Sequence, residues 1–123
     1  MTNMINTLKK SKILTDVMRY LGNDDKINGS FEIEFKNTDA YLMLTDHKIV
    51  VVEEIGLLRK STKVLQDILY QSIRKVYADG NHKVTISIHN NIKYTYLIKT
   101  PDASLIEEMI KYLMKNKKPI LTK

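Results

Sequence analysis

Few side chains in this sequence could do chemistry, and their spacing argues against catalysis. The imidazoles are His47, His82 and His89. His47 follows Asp46, so an Asp–His neighbour pair is present, but no nucleophile at a useful spacing completes a catalytic set. His82 and His89 fall at opposite ends of a segment that reads as one strand, too far apart to share a metal ion. The sequence has no cysteine, which removes thiolate catalysis, disulfides and cysteine-based zinc sites and fits a cytoplasmic protein. Glu53-Glu54 and Glu107-Glu108 are carboxylate pairs between sequence neighbours. Neighbours on a strand point to opposite faces, so Glu53 and Glu54 make a poor acid–base dyad. Glu107 and Glu108 read instead as charge near a helix N-terminus. The four glycines build neither a GxGxxG nor a Walker loop. The expectation is a protein that is not an enzyme and uses no cofactor or metal.

Binding chemistry has more candidates. Arg59, Lys60 and Lys63 form a local basic cluster, a candidate anion contact that the Lys111 to Lys118 region could extend. A solvated loop is the plainer reading of that cluster. The net charge is +6, yet residues 1–27, 28–100 and 101–123 each carry an excess of +2. Nucleic-acid domains usually gather their charge on one face, so this even spread disfavours a nucleic-acid partner. Peripheral contact with an anionic membrane is a weakly supported alternative. Tyr94 and Tyr96 share a strand face and could stack bases, although half-buried sheet tyrosines are the simpler reading.

These residues need elements to position them. A chain of 123 residues suits one domain with a sizeable core. No apolar run reaches the ~18 residues of a membrane span. Residues 4–21 read as a helix, with Ile5, Leu8, Ile13, Leu14, Val17, Met18 and Leu21 at three- and four-residue steps. Its apolar stripe can pack on the protein's own sheet, on a partner or on a sister chain. Asn28-Gly29 reads as a turn, followed by the alternating strand Ser30 to Lys36 and a short turn over residues 37–40. Tyr41 to Leu44 and Ile49 to Val52 flank a polar turn and predict a β-hairpin. Strands are expected at 64–69 and 73–77, with a helix over 64–73 as competitor. Asp79-Gly80-Asn81 predicts a further hairpin turn, and strands 83–89 and 92–99 follow. After Pro101 a second helix carries a stripe of Leu105, Ile106, Met109, Ile110, Leu113 and Met114, with a Ser104–Glu107 capping box and a Glu107–Lys111 pair.

The order is therefore one helix, about seven strands, and one helix that can plug an end of a bent sheet. Leu42, Leu44, Thr45, Asp46, Ile49 and Val50 in the hairpin, then Ile68, Tyr70, Ile73 and Val76, then Gly80, carry a likeness. On these residues the chain resembles the pleckstrin-homology-like (PH-like) superfamily, most of all its bacterial PH-like and GRAM-type branch, over residues 28–115. Lys48 stands where that branch often has Arg. The resemblance implies a mainly β (α+β) fold: a strongly bent antiparallel sheet or barrel of about seven strands, capped by a C-terminal helix, with an extra N-terminal helix. It divides the chain into a helix and loop (1–27), a PH-like domain (28–118) and a basic tail (119–123). It also implies a non-enzymatic binding module that takes a protein partner or associates with itself. Some members hold phosphoinositides with cations of the first strand–turn–strand. Here Lys36-Asn37-Thr38-Asp39-Ala40 offers one base and one acid, so that motif is missing. Bacterial members can form homo-oligomers, which points to Ile13, Val17 and Met18 of the spare helix as interaction residues.

Overall fold

The computed structural model describes residues 3–56, 58, 60–89 and 93–115, with side chains from Lys12 onward and Lys93 by its backbone. Helix α1 spans Asn3–Leu21. Seven strands follow: β1 Ile27–Phe35, β2 Thr38–Thr45, β3 Lys48–Ile55, β4 Ser61–Leu69, β5 Ile73–Asp79, β6 Lys83–His89 and β7 Lys93–Lys99. A 3-10 turn, Tyr70–Ser72, links β4 to β5, and helix α2 covers Ala103–Lys115. The strands form one antiparallel sheet in the order β4-β3-β2-β1-β7-β6-β5. The mainly β, helix-capped class expected from the residues is the class observed, and the competing helix over 64–73 does not form.

Burial explains why the central hairpin is so apolar. Leu42, Leu44, Ile49 and Val51 point into the curl of the sheet, where they meet Ile86, Ile98, Ile106 and Ile110. Met43, Val50 and Val52 point the other way and are fully buried under Ile13 and Val17 of α1. A strand covered on one face alternates apolar and polar residues, whereas a strand covered on both does not. Four consecutive aliphatics at 49–52 thus require two covers, α2 with the far sheet on the inside and α1 on the outside. Burying one such side chain stabilises by about 1.5–3 kcal/mol, so the outer cluster is a substantial part of the fold.

Several boundaries differ from the sequence reading, each for a local reason. Asn28-Gly29 is no turn: it lies inside β1, where the register with β2 shifts between Ile27 and Gly29. At Gly29 a Cβ would sit 2.8 Å from Met109 Cε of α2, so a larger residue there would push the end of that flexible side chain aside. The first hairpin turns at Lys36-Asn37, with φ of 51° and 64°, so β2 begins at Thr38. Positive φ at both central residues matches the right-handed twist of paired strands. β4 begins at Ser61, extending into the basic segment expected to be loop. On α2 the buried face is Ala103, Ile106 and Ile110, and Leu105 lies outside it at 49% exposure. Ser104 sits inside the helix and does not cap it. Its N–H donates to Asn81 Oδ1 of the β5–β6 turn at 3.4 Å, and the Asp102 N–H donates to Thr100 Oγ1 at 3.0 Å.

Candidate functional site

The hairpin turn holds the densest polar cluster. Asp25, its carboxylate only 7% exposed, accepts the Asp46 N–H at 2.8 Å. The Thr45 hydroxyl lies 2.9 Å from both Asp25 Oδ2 and the Lys48 carbonyl, with one proton to give. It also accepts the Lys48 N–H at 3.0 Å. Asn28 Nδ2 donates to Asp46 Oδ1 at 2.8 Å. His47 Nδ1 stands 3.5 Å from Asp25 Oδ1, so its carboxylate neighbour is Asp25 and not the adjacent Asp46. Both carboxylate oxygens of Asp25 are thereby engaged in fixing the turn. Among the described residues no group of three His, Asp or Glu side chains could hold a metal ion. The cluster locks the α1–β1 connection onto the β2–β3 hairpin, a positional role. Sequence reading missed Asp25; the only signal was an acid just before the first strand.

A groove of about 930 Å³ opens where β1 and β7 part company. Those strands share only the register pairs Glu34–Lys99 and Phe35–Ile98. Glu32, Glu34, Asp39 and Glu54 line the groove together with Lys60, Lys83 and Lys99. Lys99 Nζ lies 3.8 Å from Glu34 Oε2, and Lys60 Nζ lies 4.0 Å from Glu54 Oε1. These two pairs neutralise part of the lining, and four carboxylates against three ammonium groups leave the groove with little net charge for a polyanion or a polycation.

The anion-binding candidates fare unevenly against this geometry. Arg59 lies outside the described residues. Lys60 faces Glu54, and its carbonyl accepts Lys12 Nζ at 3.2 Å. Lys63 is exposed on β4, opposite Glu53 in the register. Lys60 lines the groove and Lys63 does not.

The interaction candidates sit on α1, which lies along β4. Asp16 Oδ2 accepts the Thr62 hydroxyl at 2.7 Å, and that bond, with Lys12 and Arg19 nearby, holds the Asp16 carboxyl below its usual range. Tyr20 donates to Asp67 Oδ2 at 2.5 Å. Ile13 and Val17 are buried against the sheet at 0% and 1% exposure, while Met18 projects into solvent at 59%. The three residues therefore occupy two sides of the helix.

No family model and no curated protein matches the sequence. Solved structures do match the fold. The hSac2 domain of human phosphoinositide phosphatase Sac2 aligns with a TM-score of 0.59 and 14% identity, over 87% of this chain and 82% of that one. Autoinhibited Vav1 aligns at 0.57 and 16% identity, over 94% of this chain and 24% of its own. The FERM and C-terminal domain complex of Drosophila Merlin aligns at 0.53 and 24% identity, over 71% and 27%. This chain spans about a quarter of the Merlin and Vav1 chains. At these identities the likeness is one of fold alone, a curled seven-stranded antiparallel sheet with one helix before it and one after it in the chain. No described helix is long and apolar enough to cross a membrane.

Proposed function

We propose that this chain is a cytoplasmic, non-enzymatic binding module of the bacterial PH-like, GRAM-type branch, and that α1 with the sheet face beneath it is its interaction element. One observation carries the reading. The described residues form two hydrophobic clusters, and the outer one is completed by a helix tethered through Gly22 to Lys26. Tyr41, Met43, Val50, Val52 and Val64 offer an apolar sheet face that an amphipathic helix fits. In one copy α1 supplies that helix. In an assembly, the α1 of a sister chain occupies the same face, an exchange of identical elements that costs little because the contacts are unchanged. Ile13 and Val17 then make the docking contact, and Met18 extends it on the exposed flank. An amphipathic helix from another protein would use the same face.

Light scattering over a range of concentrations tests this. The wild-type mass should rise above that of a monomer, and Val17→Glu should suppress the rise. A monomer at every concentration, with Val17→Glu changing only stability, counts against self-association.

A further inference from the structure

The outer face of β5, β6 and β7 carries a feature that the docking of α1 does not use. Ile73 and Val76 of β5 both point into the core, three residues apart. A regular strand cannot do this, since its side chains alternate. The register with β6 shifts between Ile73 and Lys75, and this bulge resolves the conflict. A bulge sets two residues opposite one and re-aims side chains. Here Arg74 and Lys75, adjacent cations that alternation would send to opposite faces, are both exposed. They line a shallow depression of about 660 Å³ with Tyr77, Ser87, His89 and Thr95. Ser87 Oγ and Thr95 Oγ1 are 3.4 Å apart. No carboxylate lines the depression, and among the described residues neither cation has an ion-pair partner. Lys75 Nζ stands 5.2 Å from the centroid of the Tyr77 ring, which is 42% exposed.

We infer that this face binds single-stranded nucleic acid, with Arg74 and Lys75 on successive phosphates, the Ser87 and Thr95 hydroxyls beside them, and a base stacked at Tyr77. Uncompensated cations next to hydroxyls suit phosphate oxygens, and an aromatic ring next to cations suits a strand that alternates phosphate and base. An open face gains little from one isolated ion pair, so an extended strand fits better than a lone nucleotide. The even spread of charge along the sequence disfavoured such a partner, but the bulge gathers two of those charges at one place.

Fluorescence anisotropy with a short labelled oligo(dT) and oligo(rU) tests the inference. The expected slope of log affinity against log salt is about −1.4, at roughly 0.7 per phosphate contacted. The double variant Arg74→Gln, Lys75→Gln should bring that slope close to zero while leaving the thermal melt unchanged. Tyr77→Ala should weaken binding about tenfold without changing the slope. Lys60→Gln, Lys63→Gln should bind as wild type. No binding at low salt overturns the inference, as does equal loss in the Lys60, Lys63 control. Binding of free dTMP or poly-glutamate as tightly as the oligonucleotide, with the same dependence on Arg74 and Lys75, also overturns it.

Discussion

The Tyr70 hydroxyl donates a buried hydrogen bond of 2.7 Å to the carbonyl of Thr45. Tyr70 lies in the turn between β4 and β5, and Thr45 ends β2, so this bond pins the far half of the sheet to the central hairpin. The Tyr70 N–H adds a second tie, to the His47 carbonyl at 3.2 Å. Tyr70→Phe keeps the ring and removes only the hydroxyl. It should cost about 1–2 kcal/mol in urea unfolding at neutral pH, the usual range for a buried bond. Burial pushes the Tyr70 phenol well above its ordinary 10.0, with the Asp25 and Asp46 charges adding to the rise. A folded value above the unfolded one means stability is complete below pH 10.0 and is lost as pH climbs toward the folded value. The wild type should therefore lose stability on the alkaline side more steeply than Tyr70→Phe. Equal slopes would show that the phenol is not buried in this way.

The β1–β2 turn is strained. Lys36 and Asn37 both adopt positive φ, at 51° and 64°. Asn tolerates that region and Gly occupies it without penalty. Lys36→Asn should therefore stabilise the protein by about 0.5–1 kcal/mol, read from the urea midpoint. A loss of stability would mean that the two central residues are not in this turn.

Much of the fold was legible because its signals are local. The alternation of Phe31, Ile33 and Phe35 marks β1, and Asp79-Gly80-Asn81 marks a tight turn. The Glu107–Lys111 pair also forms as expected, at 2.7 Å. What escaped depends on tertiary contact. Gly29 looks like a turn residue, yet it pairs with Leu44 inside β1, with the end of Met109 packed close by. Leu105 fits a stripe by spacing, yet α2 rotates so that Ala103, Ile106 and Ile110 face the core. Arg74 and Lys75 share a face only because of a bulge that no periodicity announces. Ile13, Val17 and Met18 read as one surface, but a helix turns 100° per residue and carries Met18 away from the sheet.

That division of α1 gives a direct contrast. Ile13→Ala removes atoms from a fully buried position and should cost about 2–5 kcal/mol. Met18→Ala, at a position 59% exposed, should change stability by about 0.5 kcal/mol or less. Urea unfolding of both variants checks the contrast. Equal effects would mean that α1 does not sit on the sheet as described.

The contact of α1 with β4 also has a spectroscopic handle. The hydrogen bond to Asp67, aided by partial burial, pushes the Tyr20 phenol up to about 12. Lys48 Nζ also holds Asp67, at 3.1 Å. Asp67→Asn removes the charge that favours the protonated phenol, so Tyr20 should ionise nearer to 10.0. Tyrosinate absorbance against pH follows this, with Tyr20→Phe assigning the step. An unchanged Tyr20 step in Asp67→Asn would place α1 elsewhere.

The exchange of α1 between copies can be trapped covalently, because the sequence has no cysteine of its own. One preparation carries Val17→Cys on the helix, and another carries Met43→Cys on the sheet face beneath it. Mixed and oxidised, the two should yield a covalent dimer containing one chain of each kind. The contradicting result is a mixture that stays monomeric, while a single chain carrying both cysteines closes its own disulfide.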